Sequence, residues 1–315
     1  MKIVNANYES NTFLPNHLFV CALGYETRSF HLLSKAYTRI NRENILAFTF
    51  DELIKARDDG KNIDDICSAY DGIEFTKANY NDFSSAVKVI INFINEIKRT
   101  VSPLIIHIDY SSMPRSWYCC LPERLSMLLG SDDMALFWYV DGDYPDSYIN
   151  YPSAGIHSFV YYSGKPTLRT NKKRLHIISL NYDVVRTQAT ISLLDPDSFL
   201  ACVAYDSRNE TIQSNVIEIN HSIISHANML ISLRMDDFEF MIAKLCEIAN
   251  EYVSEGDIIF VPDGPKPLIF AESLIPLVLD KKGISCLHIK RNTRYFNPVE
   301  VLPTENIIGF MINNS

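Results

Sequence analysis

Leu18-Phe-Val-Cys-Ala-Leu-Gly-Tyr-Glu-Thr27 is an apolar run that breaks into a polar turn, and Leu175-His-Ile-Ile-Ser-Leu-Asn-Tyr-Asp-Val184 repeats the pattern 157 positions later. Four further pairs follow in the same order. Ile45–Asp51 answers to Leu200–Asp206 and Asn81-Asp-Phe83 to Asp236-Asp-Phe238, both at an offset of 155. Leu104–Ile108 answers to Asp257–Val261 at 153, and Ala135–Val140 to Ser285–Lys290 at 150. Matches that keep their order while the offset drifts only from 157 to 150 indicate an internal duplication.

The runs at 18–23, 45–50, 104–108 and 135–140 are short, β-branched or aromatic, and almost continuously apolar. Strands buried on both faces of a parallel sheet have that composition. Between them, Phe83, Val87, Ile90, Ile91, Ile94 and Ile97 recur at three-to-four spacing, which predicts a helix over 82–97 with Asp82 as its N-cap. The second copy repeats this with Phe238, Ile242, Leu245, Ile248, Ala249 and Tyr252. Strands alternating with helices build right-handed βαβ units. The expectation is therefore an α/β protein of two tandem Rossmann-like parallel-sheet units related by internal duplication. Residues 1–150 form copy one, 151–174 a linker or hairpin, and 175–315 copy two.

Composition narrows the class. The 315 residues exceed what one core usually serves, and 47% apolar with 11% aromatic content is enough for two. A net charge of −9 argues against general nucleic-acid binding. Met1–Ser10 is polar, and no run of about eighteen apolar residues occurs, so neither a secretory signal nor a membrane span is expected. The seven cysteines form no CxxC pair and mostly sit in apolar runs, as reduced core cysteines of a cytoplasmic protein would.

In an open parallel sheet, ligands gather beyond the carboxyl ends of the strands. There copy one carries Gly24, Tyr25, Glu26, Thr27, Arg28 and Ser29 after its first strand. After a later strand it carries Asp109, Tyr110, Ser111, Ser112, Met113, Pro114, Arg115 and Ser116. Small hydroxyls ahead of a helix, with Arg28 and Arg115 near, suit a phosphate or another anion. The competing reading is that Asp109 and Ser111 merely cap the helix. In copy two the matching loop is Pro262-Asp-Gly-Pro-Lys-Pro267, where Lys266 stands between two prolines and Gly264 permits close backbone approach. The alternative there is a rigid turn with a solvated lysine. Asn181, Tyr182 and Asp183 follow the first strand of copy two, with Arg186 on the next turn; Tyr25 and Tyr182 hold equivalent positions, to stack on bases or to plug the ends of their sheets.

A strand running into Asp263-Gly-Pro-Lys-Pro267 and then a helix resembles the Gly-Thr-Lys-Pro-type loop of CARF domains, and two such units in one chain are similar to SAVED domains. The resemblance covers most of the chain as architecture and two loops as motif. Pro265 stands where that loop has threonine, and copy one has no lysine there. What the resemblance implies is a Rossmann-like fold whose strand-end loops clasp a cyclic or linear oligonucleotide, in the setting of prokaryotic antiviral defence. It points at Tyr25, Glu26, Arg28, Ser111, Ser112 and Arg115 in copy one. In copy two it points at Tyr182, Asp263, Gly264 and Lys266.

Other constellations are weaker. Asp141-Gly-Asp-Tyr-Pro-Asp146 could hold Mg²⁺ or be an acidic turn. His221 and His226 are five apart and no HExxH exists, so zinc is not expected. The absence of a Walker loop, of GxGxxG and of GxSxG argues against ATP by that route, a dinucleotide cofactor or a serine hydrolase; no cofactor and no metal are expected. Arg291, Arg294 and Tyr295 extend an anion site or form a solvated patch. Two functions follow. One is a sensor or adaptor for a nucleotide or other phosphorylated ligand, with a separate effector protein as partner. The other is an enzyme on such a ligand, with Asp109, Asp263 or Glu26 as acid or base.

Overall fold

The computed structural model describes residues 1–50, 67–144, 155–164, 166–167, 173–207, 210–291 and 300–314. The chain divides into two compact units, Met1–Asp146 with Pro298–Ser315, and Ser147–Asn297.

In the first unit, β2 (Leu18–Leu23), β3 (Ile45–Thr49), β4 (Phe75–Lys77), β5 (Ile105–Asp109) and β6 (Met134–Asp143) run parallel in the order β4-β3-β2-β5-β6. In the second, β8 (Lys173–Ser179), β9 (Ser198–Tyr205), β10 (Met229–Arg234), β11 (Gly256–Val261) and β12 (Ile284–Arg291) run parallel in the order β10-β9-β8-β11-β12. The strand order is the same in both, so the duplication is a property of the fold. Each unit is a doubly wound, Rossmann-like sheet.

Alternation along the strands places helices on both faces. Phe19, Cys21, Leu23 and Ala47 share a buried cluster with Leu32, Leu33 and Ala36 of α1 (His31–Tyr37). Phe48 and Phe50 turn the other way, onto Trp117 of α3 (Arg115–Leu128), beside which lies α2 (Phe83–Lys98). The second unit repeats this: α4 (Val184–Leu194), α5 (Glu210–Ile219) and α6 (His221–Ile224) cover one face with Ile191, Val216 and Ile223. On the other, α7 (Phe238–Tyr252) and α8 (Lys266–Leu279) meet through Phe238 and Phe270.

Each sheet also has an antiparallel sixth strand, and here the expected boundaries change. Residues 151–174 were expected to be a linker or hairpin, yet Ile156–Gly164 within them is a strand, β7, that pairs with β12. Residues up to 315 were expected in copy two, yet Leu302–Asn313 is β13, which pairs with β6 on one side and with β1 (Lys2–Asn5) on the other. The sixth strand of each unit thus comes from the chain that follows the other unit's fifth strand. The cause is pairing at long sequence separation, which periodicity cannot reveal.

Candidate functional site

The strand order reverses between β2 and β5 in the first unit and between β8 and β11 in the second. Loops leaving adjacent strands in opposite directions open a crevice at such points. Both groups of expected site residues lie there.

In the first unit, a Cβ on Gly24 would stand 3.3 Å from the Cβ of Ser112, so the two strand-end loops touch. Arg28 is only 2% exposed. Its Nε donates to Glu26 at 2.5 Å and its Nη1 to the Tyr139 hydroxyl at 3.0 Å, and its guanidinium lies over the Tyr139 and Tyr144 rings at 5.3 and 5.6 Å. Burial opposes its charge, but Tyr139, Tyr144 and Glu26 hold it well above the usual arginine range. Arg28 and Glu26 are therefore committed to each other and to β6. The Asp109 carboxylate accepts from the backbone N–H of Ser111 at 2.9 Å and from its hydroxyl at 2.5 Å. Ser111 Oγ in turn accepts from Val140 N at 2.8 Å. These two residues lace the loop to β6; the residue ahead of α3 is Pro114, with no side-chain cap, so neither serves as its N-cap. Arg115 opens α3 and is partly exposed, as are Tyr25 and Ser112.

His107 does not join this group. Trp138 Nε1 donates to its Nδ1 at 3.0 Å, which leaves the proton on Nε2, 2.9 Å from His17 Nδ1. Burial, then His17, lowers His107 to about 3.

In the second unit, Asp263 is 2% exposed and takes two hydrogen bonds from Arg186, from Nε at 2.6 Å and Nη2 at 3.0 Å. Arg186 Nη1 also donates to Asp183 at 2.5 Å. Asp183 is the N-cap of α4, accepting from Arg186 N, so one aspartate fixes both the helix start and the guanidinium. Asn181 Nδ2 donates to the Asp263 carbonyl at 2.5 Å. The crevice between β8 and β11 is thus bridged by an acid–arginine–acid chain in which Arg186 and Asp263 are buried and Asp183 is partly exposed. Gly264 packs closely on its neighbours: a Cβ there would lie 3.2 Å from both Leu268 Cδ2 and Ser179 Cβ. Tyr182 packs on the apolar cluster of its unit. Lys266 opens α8 behind Pro265, which offers no side-chain cap, and is partly exposed.

Glu272, in the middle of α8, is the residue that sequence reasoning missed. It is fully buried, and its Oε2 accepts from Ser179 Oγ at 2.6 Å while Oε1 has no partner. Burial, with a contribution from Asp263, pushes it up to about 8 against the Ser179 bond, which lowers it. The available signal was a lone acid inside Leu268-Ile-Phe-Ala-Glu-Ser-Leu-Ile275, an otherwise apolar helix face.

The acidic segment 141–146 is not a turn where it is described: Asp141–Asp143 end β6, and 145–146 lie outside the described residues, as do Arg294 and Tyr295. His221 is in α6, and His226 Nδ1 lies 2.7 Å from the Ser222 carbonyl. Among the described residues no three His, Cys, Asp or Glu side chains converge on a common point, and no helix is long and apolar enough to cross a membrane.

No family model matches the chain, and no curated protein matches it. Among solved structures, a ketoreductase domain from the bacillaene assembly line aligns over 87% of this chain and 67% of its own, at 10% identity and a TM-score of 0.23. A likeness that slight carries no argument about activity.

Proposed function

We propose that this protein senses a nucleotide or another phosphorylated ligand at its strand-reversal crevices and signals to a separate partner. One observation carries the proposal. Arg115 and Lys266 each open the helix that follows the fourth parallel strand of their unit, behind a proline and with no side-chain cap on the helix. The first amides of a helix and a cation beside them favour an anion. In a chain of net charge −9, the same arrangement twice over concentrates positive charge at two equivalent points.

Sensing is favoured over turnover by the state of the three candidate acids. Asp263 is clasped by Arg186, Glu26 by Arg28, and Asp109 by Ser111. A carboxylate already holding such donors is a poor general base.

Titration calorimetry with mononucleotides, short linear and cyclic oligonucleotides and pyrophosphate tests this. Arg115→Ala and Lys266→Ala should each weaken binding by about 1.5–3 kcal/mol, or roughly one to two decades, with little change in melting temperature. Binding untouched by both changes would sink the proposal. Consumption of a nucleotide that stops in Asp109→Asn or Asp263→Asn would convert the sensor into an enzyme.

A further inference from the structure

The two copies disagree about one buried pair of residues. Leu18 and Leu175 begin the matched first-strand runs, so the fifth residue of each run is Ala22 in copy one and Ser179 in copy two. At the offset of 153 that matches the preceding strands, Glu272 of copy two answers to Cys119 of copy one. All four are buried. Copy one carries an alanine and a cysteine at these positions; copy two carries a hydroxyl and a carboxyl.

The polar pair is costly where it sits. Glu272 Oε1 is buried without a partner, and a buried polar group left unsatisfied destabilises the fold. Copy one demonstrates that the fold does without it. Its connections run in one direction. Ser179 Oγ donates to Glu272 and accepts from the backbone N–H of Asp263 at 3.4 Å, and Asp263 leads through Gly264 and Pro265 into Lys266. The Ser179 side chain also underlies Gly264, at 3.2 Å from where a Cβ would be. Glu272 therefore reaches the Lys266 loop through a single intermediate.

We propose that Glu272, acting through Ser179, is a positioning residue for the Asp263–Lys266 loop of copy two. Its effect on a phosphorylated ligand rests on the ligand reading above; its effect on the loop does not. The ionisable groups bearing on Glu272 are Asp263 from the loop and Cys202 from β9, with Arg186 of α4 bonded to Asp263. Burial and Asp263 disfavour a charge on Glu272, so it holds the loop as a neutral acid. Its ionisation, around pH 8, places a second negative charge beside Asp263 and loosens the loop.

Two readouts on the full chain test this. The first is amide hydrogen exchange of Asp263 and Gly264, which requires no ligand. The second is calorimetric binding of pyrophosphate. Ser179→Ala with Glu272→Leu replaces the polar pair by an apolar one and should raise the melting temperature. It should also speed exchange at those two amides at least tenfold and weaken pyrophosphate binding at least tenfold. In the wild type both readouts should deteriorate between pH 7 and 9, beyond the intrinsic pH dependence of exchange and the ionisation of pyrophosphate; Glu272→Gln, which keeps an acceptor for Ser179 and carries no charge, should show only those two. Loop exchange identical to wild type in the double variant overturns the positioning role. So does a loop-exchange response beyond the intrinsic one that persists in Glu272→Gln. If exchange behaves as expected and wild-type pyrophosphate binding is nil, the positioning role stands and the ligand reading falls.

Discussion

At the residue scale, ionisable groups buried in opposite states divide the pH axis between them. His107 is held at about 3 by burial and His17, and His176 at about 4 by burial and Arg174. Both are neutral when folded and gain a proton on unfolding, so their contribution is complete above pH 6.5 and lost as pH falls toward 4 and 3. Glu272 has the opposite sign. Its pKa of about 8 means that its contribution is complete below 4.5 and lost as pH rises to 8. Each group acts at about 1.4 kcal/mol per pH unit. Two histidines outweigh one glutamate below 6.5, so urea unfolding should give a stability maximum near that pH, falling on both sides. Glu272→Leu should remove the alkaline fall and leave the acid one; an unchanged alkaline limb would contradict the assignment. Arg186→Leu strands the carboxylates of Asp183 and Asp263 and should cost about 3–5 kcal/mol. Residue identity in the sequence did not reveal this. An arginine beside a strand end reads the same whatever it faces, and only the paired geometry of Arg186 with an aspartate 77 positions away decides.

At the element scale, what was legible is what local physics controls. Asp82 and Asp237 cap α2 and α7 by accepting from Ser85 N and Phe240 N, and both follow from an acid ahead of an amphipathic run. Replacing either with alanine should cost about 1 kcal/mol in denaturant unfolding, by the same mechanism in each unit. The buried strands β2, β3, β5 and β6 were visible because burial on both faces leaves an unbroken apolar run. The edge strands were not: β4 has three residues, and β7 breaks the alternation that marks a strand, with Ser158 and Phe159 both half-buried and Val160 and Tyr161 both exposed. β13 opens with Leu302-Pro-Thr-Glu-Asn306, which reads as a loop. Its hold on β6 depends on Gly309, where a Cβ would lie 2.2 Å from the Trp138 ring. Gly309→Ala should therefore destabilise the first unit. Amide exchange accelerating along β6 and β13 while β8–β12 stay protected would confirm it, and uniform exchange would not.

At the scale of the whole molecule, the exchanged sixth strands make the first unit discontinuous, Met1–Asp146 with Pro298–Ser315, and the second continuous, Ser147–Asn297. Deleting Leu302–Asn313 should open the first unit to proteolysis and leave the second intact; equal sensitivity of both would refute this. The same arrangement has a consequence for synthesis. β6 emerges from the ribosome with Leu136, Phe137, Trp138 and Tyr139 facing an empty strand position, and β1 emerges earlier still, yet the partner of both is β13. At about 5–20 residues per second, that vacancy lasts roughly ten to thirty seconds. In the interval the second unit acquires all of its strands. The half of the chain that is made second is the half that can finish folding first.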